Sequence, residues 1–487
     1  MGHNRILYHL HDMKLMATAP LHVAAEMTRA VLQHPLMPMA YTKMGRTMAA
    51  GAELLERSTR QYAKPEFGLA ETTVEGRKVK VVEEVLGEKP FCRLIHFARD
   101  LPADRPLDPQ ILVVAPMSGH HATLLRGTVE ALLPEHDVYI TDWIDARLVP
   151  LSAGEFGLDT YIEYLVDFIR GLGPETNVIG VCQPTVPVLA AVALLASAND
   201  PAQPRSMTLM GGPIDIREAA SEVTEYGNKY SLNTLKRNIV AKVPPYYPGA
   251  MRKVYPGFVQ LAGFMSMNLE RHVGAYLKLF QHMVVGDGDS ATAHRKFYDE
   301  YLSVMDIDAR FYLDTVEHVF QNASLPKREL YIRGQHVDPW DIRRTALLTI
   351  EGELDDISPP GQTLAAHKLC KNIPDWMKRH HFEKGVGHYG IFNGRRWREQ
   401  IMPQVRDFVR AYDKPARLGP ITERGTLHMP TDKFIPRVSS GKPPVVKAAA
   451  SKKSAAVKKA APKKTAVKKA VSPKAAPKKA PAKRKSR

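Results

Sequence analysis

The stretch NVIGVCQPTVPVLAAVALLA, residues 177–196, decides the fold. Its first five residues have the apolar pattern of a buried strand, and the Ala- and Leu-rich run after Pro187 is typical of a buried helix. Between them, GVCQP (residues 180–184) occupies the place of a sharp strand-to-helix turn that presents a nucleophile. Unpaired N–H groups and the helix dipole favour the thiolate form of a cysteine at such a position. The stretch therefore predicts a nucleophilic Cys182 above the end of a strand.

Two features leave an alternative open at this turn. The last position of the motif, normally glycine, is Pro184, although proline is tolerated in a first helical turn. Cys182 could also be a small buried thiol packed beneath the helix, since free cysteines are among the most buried residues. Partner residues elsewhere in the chain have to decide between these interpretations.

Apolar runs similar to the first one recur along the chain, at 111–115, 137–141, 207–210 and 346–351, and a further strand pattern follows near 377–384. Helical patterns separate most of them, and this alternation predicts a parallel sheet with helices on both faces. Residues 78–97 instead alternate apolar and polar side chains, as an antiparallel strand pair does. The sequence therefore predicts an α/β fold.

We predict five segments along the chain. Residues 1–65 form a helical segment, and 66–215 form the first part of the sheet core. Residues 216–343, rich in Tyr, Phe, Met and His, form a mostly helical cap inserted into that core. The core resumes over 344–415, and a disordered linker with a basic tail covers 416–487.

Composition excludes several classes of protein. Three cysteines are too few for a disulfide scaffold, and no CxxC or His/Cys cluster suggests zinc. The N-terminus lacks the apolar core of an export signal, and the longest apolar stretch, 186–198, is shorter than the roughly 20 residues that span a bilayer. The net charge is +17, yet residues 441–487 alone carry 17 Lys and Arg and no Asp or Glu. We therefore expect a cytoplasmic protein with a neutral body and a cationic tail.

Partners for Cys182 follow two later strands. EGELDDI (residues 351–357) places Asp355 and Asp356 after one strand, and GVGHYG (385–390) places His388 in a glycine-flanked loop after the next. Nucleophile, acid and histidine in this order are typical of α/β-hydrolases. In that scheme His388 accepts the Cys182 proton and an aspartate orients the imidazole. Spacing does not choose between Asp355 and Asp356, and each residue alone could be an ordinary turn or cap residue.

The same scheme requires an oxyanion hole. The backbone N–H of Gln183 is one predicted donor, and that of Met117 or Ser118, after the strand at 111–115, is the second. His120 and His121 lie in the same loop. They are candidate substrate contacts, or they are histidines satisfied by the backbone.

A family resemblance covers residues 6–412. The stretches ILYHLHDM, EKPFCRLIHF, APMSGHHATLLR, DWIDARLVP, VCQPTVPVLAA, MGGPID, EGELDDIS and GHYGIFNGRRWREQI together resemble the intracellular polyhydroxybutyrate depolymerases of bacteria. That resemblance implies an α/β-hydrolase acting on amorphous polyester in storage granules, with Cys182 as nucleophile, Asp355 as acid and His388 as base. It implies release of 3-hydroxybutyrate or short oligomers. It implies no bound cofactor, with water as the usual acyl acceptor and coenzyme A as acceptor in some members.

Two other functions stay open from sequence. A polyhydroxyalkanoate synthase can use the same fold and triad for acyl transfer from coenzyme A thioesters, and a non-catalytic protein could tether granules to DNA. The tail at 441–487 resembles the Lys/Ala/Pro-rich tails of linker-histone-like proteins and predicts sequence-independent binding to DNA or another polyanion. Without aromatic side chains in the tail, base stacking is not expected. The sequence leaves the oligomeric state and the preferred monomer length open.

Overall fold

A computed structural model describes residues 3–413 except residue 268, with side chains described from residue 7. The predicted linker and basic tail at 416–487 therefore lie outside the described residues. The strands are β1 (Glu71–Val74), β2 (Arg77–Lys89), β3 (Cys92–Arg99), β4 (Gln110–Val114), β5 (Asp137–Trp143), β6 (Thr176–Val181), β7 (Ser206–Met210), β8 (Ala241–Lys242), β9 (Lys253–Tyr255), β10 (Ile307–Asp308), β11 (Tyr331–Ile332), β12 (Gln335–His336), β13 (Ala346–Gly352) and β14 (Lys378–Glu383).

The α-helices are α1 (His3–Gln33), α2 (Lys43–Thr59), α3 (Arg126–Leu132), α4 (Leu158–Leu172), α5 (Thr185–Ser197), α6 (Glu222–Lys229), α7 (Leu232–Asn238), α8 (Gly257–Met267), α9 (Leu269–Val285), α10 (Gly288–Leu302), α11 (Ala309–Thr315), α12 (Ala366–Leu369), α13 (Gly394–Arg396) and α14 (Met402–Tyr412). Two π-helical segments extend α11 and precede α14, at Val316–Gln321 and Trp397–Ile401.

Nine strands form the central sheet, in the order β1-β2-β3-β5-β4-β6-β7-β13-β14. The pairs from β1 to β5 are antiparallel, and every pair from β5 to β14 is parallel. Strands β4, β6, β7 and β13 are entirely buried and β5 is buried after Asp137, as expected of parallel strands covered on both faces. This topology, with crossover helices between parallel strands, confirms the predicted α/β-hydrolase fold.

The helix after β6 explains why the opening stretch of sequence dominates the fold. From Thr185 to Leu195 every residue of α5 is buried, which suits a helix that is apolar on all sides. Helix α4 instead has one apolar face, with Tyr161, Leu165 and Ile169 turned inward. Both helices thus cover the sheet, and β6 ends directly beneath the start of α5.

The N-terminal segment differs from a single helical stretch. It is a hairpin of α1 and α2, joined by a single 3₁₀ turn at Pro38–Tyr41. Pro35 and Pro38 lie in the break, and proline removes a backbone donor and disfavours helical backbone at the residue before it. Buried Tyr8 attaches α1 to the rest of the protein, because its hydroxyl donates to Asp306.

Between β7 and β13 the chain is mostly helical, with α6 to α11. Within that segment, β8, β9 and β10 form a small antiparallel sheet, which the sequence pattern did not indicate because strands of two or three residues show no periodicity. Buried Arg252 bonds Asp308 at 3.0 Å beside this sheet. The boundaries of the five predicted segments stay a prediction.

Candidate active site

Cys182 occupies a tight turn between β6 and α5. Its φ of 67° is left-handed, which is rare for a residue with a side chain and is found at functional turns. Its N–H donates to the Met210 carbonyl at 2.8 Å, and Thr185 Oγ1 donates to its carbonyl at 2.9 Å. A Cβ atom at Gly212 would lie 1.9 Å from Thr185 Oγ1, so only glycine fits beside this turn. The turn holds Cys182 half-buried at the carboxyl edge of the sheet.

Asp355 and His388 meet at the same edge. His388 Nδ1 donates to Asp355 Oδ2 at 2.8 Å, and both side chains are buried. The other carboxylate oxygen of Asp355 accepts the N–H groups of Ile357 at 3.0 Å and Ser358 at 2.8 Å, so its orientation is held by the loop after β13. The Asp356 carboxylate lies 3.7 Å from Arg271 of α9. The structure brings Asp355, rather than Asp356, to the histidine.

The surroundings of His388 favour the protonated imidazole. Burial by itself lowers the pKa of His388, but the Asp355 carboxylate and then Cys182 outweigh burial and raise that pKa well above 6.5. Cys182 is also a hydrogen-bond partner of the imidazole. The ring therefore keeps its proton at neutral pH while facing the sulfur, and the three predicted groups come together at one point.

Two of the residues predicted to form the oxyanion hole, Met117 and Gln183, are in contact, and their backbone role stays a prediction. The Met117 N–H donates to the side-chain Oε1 of Gln183 at 3.4 Å, while Ser118 is half-buried in the same loop. Sequence reasoning did not place the Gln183 carboxamide here, because the motif specifies only its backbone. A substrate oxygen that binds to Met117 N–H has to displace this carboxamide.

The two loop histidines are buried, and His120 contacts the cap. His120 Nε2 donates to the Tyr301 carbonyl at 3.1 Å, and its ring packs on Tyr301 and Phe264. Burial lowers the pKa of His120 to about 4 and that of His121 to about 3. His120 thus joins the loop after β4 to the cap. A substrate contact by either histidine stays a prediction.

Replacing His121 with Asn should make the protein less sensitive to acid. Because the folded pKa of His121 is about 3, the unfolded chain binds more protons below pH 6.5, and stability falls as the pH drops. At pH 5 this linkage costs the wild type about 2 kcal/mol that the His121→Asn variant does not lose. Urea unfolding at pH 7.5 and 5.0 measures the difference, with exposed His9→Asn as control. Equal losses in wild type and His121→Asn would contradict the expectation.

Several side chains beside the site were not predicted. Tyr301 and Arg271 come from the cap, distant in sequence, and no local pattern marks them. Tyr389 belongs to the predicted histidine loop, and its ring packs against Tyr301 and Phe297. The cap therefore contributes to the surroundings of Cys182.

The described residues contain neither a metal-binding cluster nor a membrane-spanning helix. Within residues 3–413, apart from residue 268, no group of three or more His, Cys, Asp or Glu side chains is arranged to hold a metal ion. In the same described part of the chain, no helix has the length and apolar character needed to cross a bilayer.

Comparison with known proteins adds the chemical context. Residues 211–413, which hold Asp355, His388 and the cap, match the family described as PHB de-polymerase C-terminus. A poly(3-hydroxyalkanoate) polymerase subunit of Haloferax mediterranei is 24% identical over 367 residues, covering 73% of this chain and 68% of the relative. The corresponding subunit of Haloarcula marismortui is 22% identical over 365 residues, covering 72% and 71%.

Solved structures that resemble the chain include a thermophilic esterase from Thermogutta terrifontis, at 14% identity and TM-score 0.36, covering 71% of this chain and 98% of that one. A putative non-heme bromoperoxidase of Mycobacterium tuberculosis has 14% identity and TM-score 0.39, with 70% and 98% covered. The relationship of this chain to known proteins rests on the sequence matches. By its sequence, this α/β-hydrolase-fold chain is related to proteins of polyhydroxyalkanoate metabolism.

Proposed function

We propose that this protein is an enzyme that breaks or makes polyhydroxyalkanoate ester bonds through an acyl-cysteine intermediate. The observation that carries the proposal is the contact of His388 with both Asp355 and Cys182, at the ends of three strands of one sheet. The sequence relationship to polyhydroxyalkanoate proteins names the acyl group.

Each residue has a chemical role in this proposal. The Cys182 sulfur, whose proton has passed to His388, attacks the carbonyl carbon, and the carbonyl oxygen becomes an oxyanion that the N–H groups of Gln183 and Met117 stabilise. When the tetrahedral intermediate collapses, the C–O bond breaks and His388 donates its proton to the leaving alcohol oxygen. Asp355 keeps the imidazole oriented and stabilises its charge. An acceptor then takes the acyl group from sulfur by the reverse of these steps.

The acceptor distinguishes two candidate functions. Transfer to water is the depolymerase reaction, which the family matched by residues 211–413 supports by its description. Transfer to the hydroxyl end of a growing chain is the polymerase reaction, which the names of both curated relatives support. Those relatives align with 73% and 72% of the chain, a larger share than the family match, and they favour the polymerase over the depolymerase.

One pair of assays separates the two candidates. Purified protein is added to native amorphous granules, and separately to 3-hydroxybutyryl coenzyme A. Falling turbidity with release of 3-hydroxybutyrate identifies a depolymerase, whereas coenzyme A release with polymer growth identifies a polymerase. Adding coenzyme A to the granule assay tests it as an alternative acceptor. Activity in neither assay would contradict both candidates and leave the non-catalytic granule protein.

We also propose that the protein works on granules in the cytoplasm. The support is the relationship to proteins that act on a polymer stored in bulk. Sedimentation of cell lysate through a density gradient tests the location. The protein should migrate with the granule fraction, and recovery in the supernatant alone would contradict this part of the proposal.

Residues 441–487 should bind DNA without sequence preference. This segment holds 17 Lys and Arg and no Asp or Glu, so it can displace the counterions of the phosphate backbone. In electrophoretic mobility assays, full-length protein should retain duplex DNA of any sequence, and a chain ending at residue 440 should not. Affinity should fall steeply between 50 and 200 mM salt, by about 10³-fold or more if six or more phosphates are neutralised. Equal retention by both chains would contradict the prediction, and competition by polyphosphate would show a general polyanion site.

A further inference from the structure

A row of four hydrogen-bonding side chains leads from the site into the cap. Tyr389 follows His388 directly, and the two rings pack edge to face with centroids 5.6 Å apart. The Tyr389 and Tyr301 hydroxyls are hydrogen-bond partners. The Tyr301 hydroxyl lies 3.4 Å from His272 Nε2, and His272 Nδ1 lies 2.9 Å from the Tyr298 hydroxyl. The row therefore starts beside the imidazole and ends in the cap.

The hydrogen bonds along this row can be donated in either direction, toward Tyr389 or away from it. Burial lowers the pKa of His272, so its neutral ring has one donor and one acceptor nitrogen. Each tyrosine hydroxyl can donate once and accept as well. If His272 Nε2 accepts, Tyr389 donates into the row and offers a lone pair at its open end. If His272 Nε2 donates, Tyr389 offers its O–H instead.

Tyr389 lies beside the imidazole of His388 and keeps its hydroxyl proton. Burial, then Tyr301, then Cys182 raise the pKa of Tyr389 well above 10, so its hydroxyl stays protonated throughout the working pH range. Tyr301 is buried in the cap, and its ring centroid lies 5.8 Å from that of Tyr389. A substrate oxygen near Cys182 and His388 therefore meets a neutral hydroxyl that can either donate or accept.

One substrate atom needs such a partner. The alcohol oxygen of the ester accepts hydrogen bonds while it is bonded to the acyl carbon, and it both donates and accepts once it is a free hydroxyl. We infer that Tyr389, positioned by Tyr301, binds this alcohol oxygen. The inference rests on the proposed function and holds for either acceptor, since the same oxygen leaves in cleavage and attacks in synthesis.

Cleavage of the ester bond leaves the protonation state of Tyr389 unchanged. As the S–C bond forms and the C–O bond breaks, the alkoxide oxygen takes the proton held by His388, and Tyr389 donates a hydrogen bond to the developing charge. The new hydroxyl can then donate to the Tyr389 oxygen if the row reverses. Tyr389 keeps one proton throughout, so no further acid or base is required.

Leaving-group dependence tests the inference. The probes are p-nitrophenyl 3-hydroxybutyrate, whose nitrophenolate leaves without protonation, and the methyl ester of the 3-hydroxybutyrate dimer, whose alkoxide needs stabilisation. Tyr389→Phe should lower kcat/KM for the dimer by about 10- to 100-fold and for the nitrophenyl ester by less than about 3-fold. Transfer from the nitrophenyl ester to methyl 3-hydroxybutyrate forms the dimer and should slow by a similar factor.

Two further variants sharpen the result. Tyr301→Phe should change the ratio in the same direction by a smaller factor, because it leaves the Tyr389 hydroxyl in place but unpositioned. Tyr312→Phe removes a half-buried hydroxyl that packs against Tyr255, away from the row, and should leave the ratio unchanged. Thermal melting checks that all three variants are folded.

The outcomes separate this inference from the proposed function. A wild-type protein inactive in all three reactions contradicts the proposed function. With an active wild type, equal losses on both esters in folded Tyr389→Phe overturn the inference, since packing alone would then explain them. No loss on the dimer also overturns it, and a loss confined to reactions of the alkyl alcohol supports it.

Discussion

The Cys182→Ala variant should lose at least about 10⁴-fold in turnover of 3-hydroxybutyryl esters and thioesters. The reason is that no acyl-enzyme can form, and the remaining oxyanion donors and binding contacts supply only the residual rate. Steady-state assays with p-nitrophenyl 3-hydroxybutyrate and with native granules measure the loss. Mass spectrometry after a short incubation should show the added acyl group in the wild type only.

The chain provides a matched control for this experiment. Cys370 is also a free thiol but is completely buried, and burial raises its pKa to about 12. Cys370→Ala should keep the acyl-enzyme and most of the activity, and iodoacetamide should label Cys182 in preference to Cys370. Undiminished activity in folded Cys182→Ala would show that the nucleophile is elsewhere or that the protein is not the enzyme.

Asp355→Asn should lower kcat by about 10³- to 10⁴-fold, whereas Asp356→Asn should change it by less than about 3-fold. The two residues are adjacent, but only the Asp355 carboxylate bonds His388, while Asp356 faces Arg271. An amide at position 355 cannot stabilise the imidazolium and favours the wrong tautomer. Single-turnover acylation measures the effect, and comparable losses in both variants would contradict the assignment of Asp355.

The stability difference between the wild type and Asp355→Asn should depend on pH. Asp355 and Cys182 hold the folded pKa of His388 well above 6.5, so this pairing contributes stability that is complete below about pH 6.5. It is lost as the pH rises through the folded pKa. The unfolding free energy of the wild type should therefore exceed that of Asp355→Asn by more at pH 6 than at pH 9.5. A gap that widens with pH would contradict this account of His388.

The strand patterns and their order along the chain predicted the three main residues of the candidate site. Cys182 and Asp355 each follow an apolar run and His388 follows the next predicted strand, and the carboxyl ends of parallel strands lie at one edge of a sheet. Three local patterns therefore predict one cluster, even though 173 residues separate Cys182 from Asp355. The break between α1 and α2 was not predicted, although Pro35 and Pro38 stand at it in the sequence.

Several side-chain contacts of the site are not indicated by any local sequence pattern. Whether Asp355 or Asp356 meets the imidazole depends on how the loop after β13 turns, and this turn is held by N–H groups of Ile357 and Ser358. The Gln183 carboxamide reaches Met117 from another strand end. Tyr301 reaches Tyr389 from a cap helix, through contacts between segments far apart in the chain.

Periodicity and residue type thus established the layers of the fold, the order of the strands along the chain and the strand ends on which reactive groups stand. These depend on interactions between near neighbours, which repeat every two or 3.6 residues and leave a trace in sequence. Side-chain direction within loops, the hydroxyl row from Tyr389 to Tyr298 and the charge of His388 needed the folded molecule. They arise from burial and from partners brought together by packing, which no local window contains.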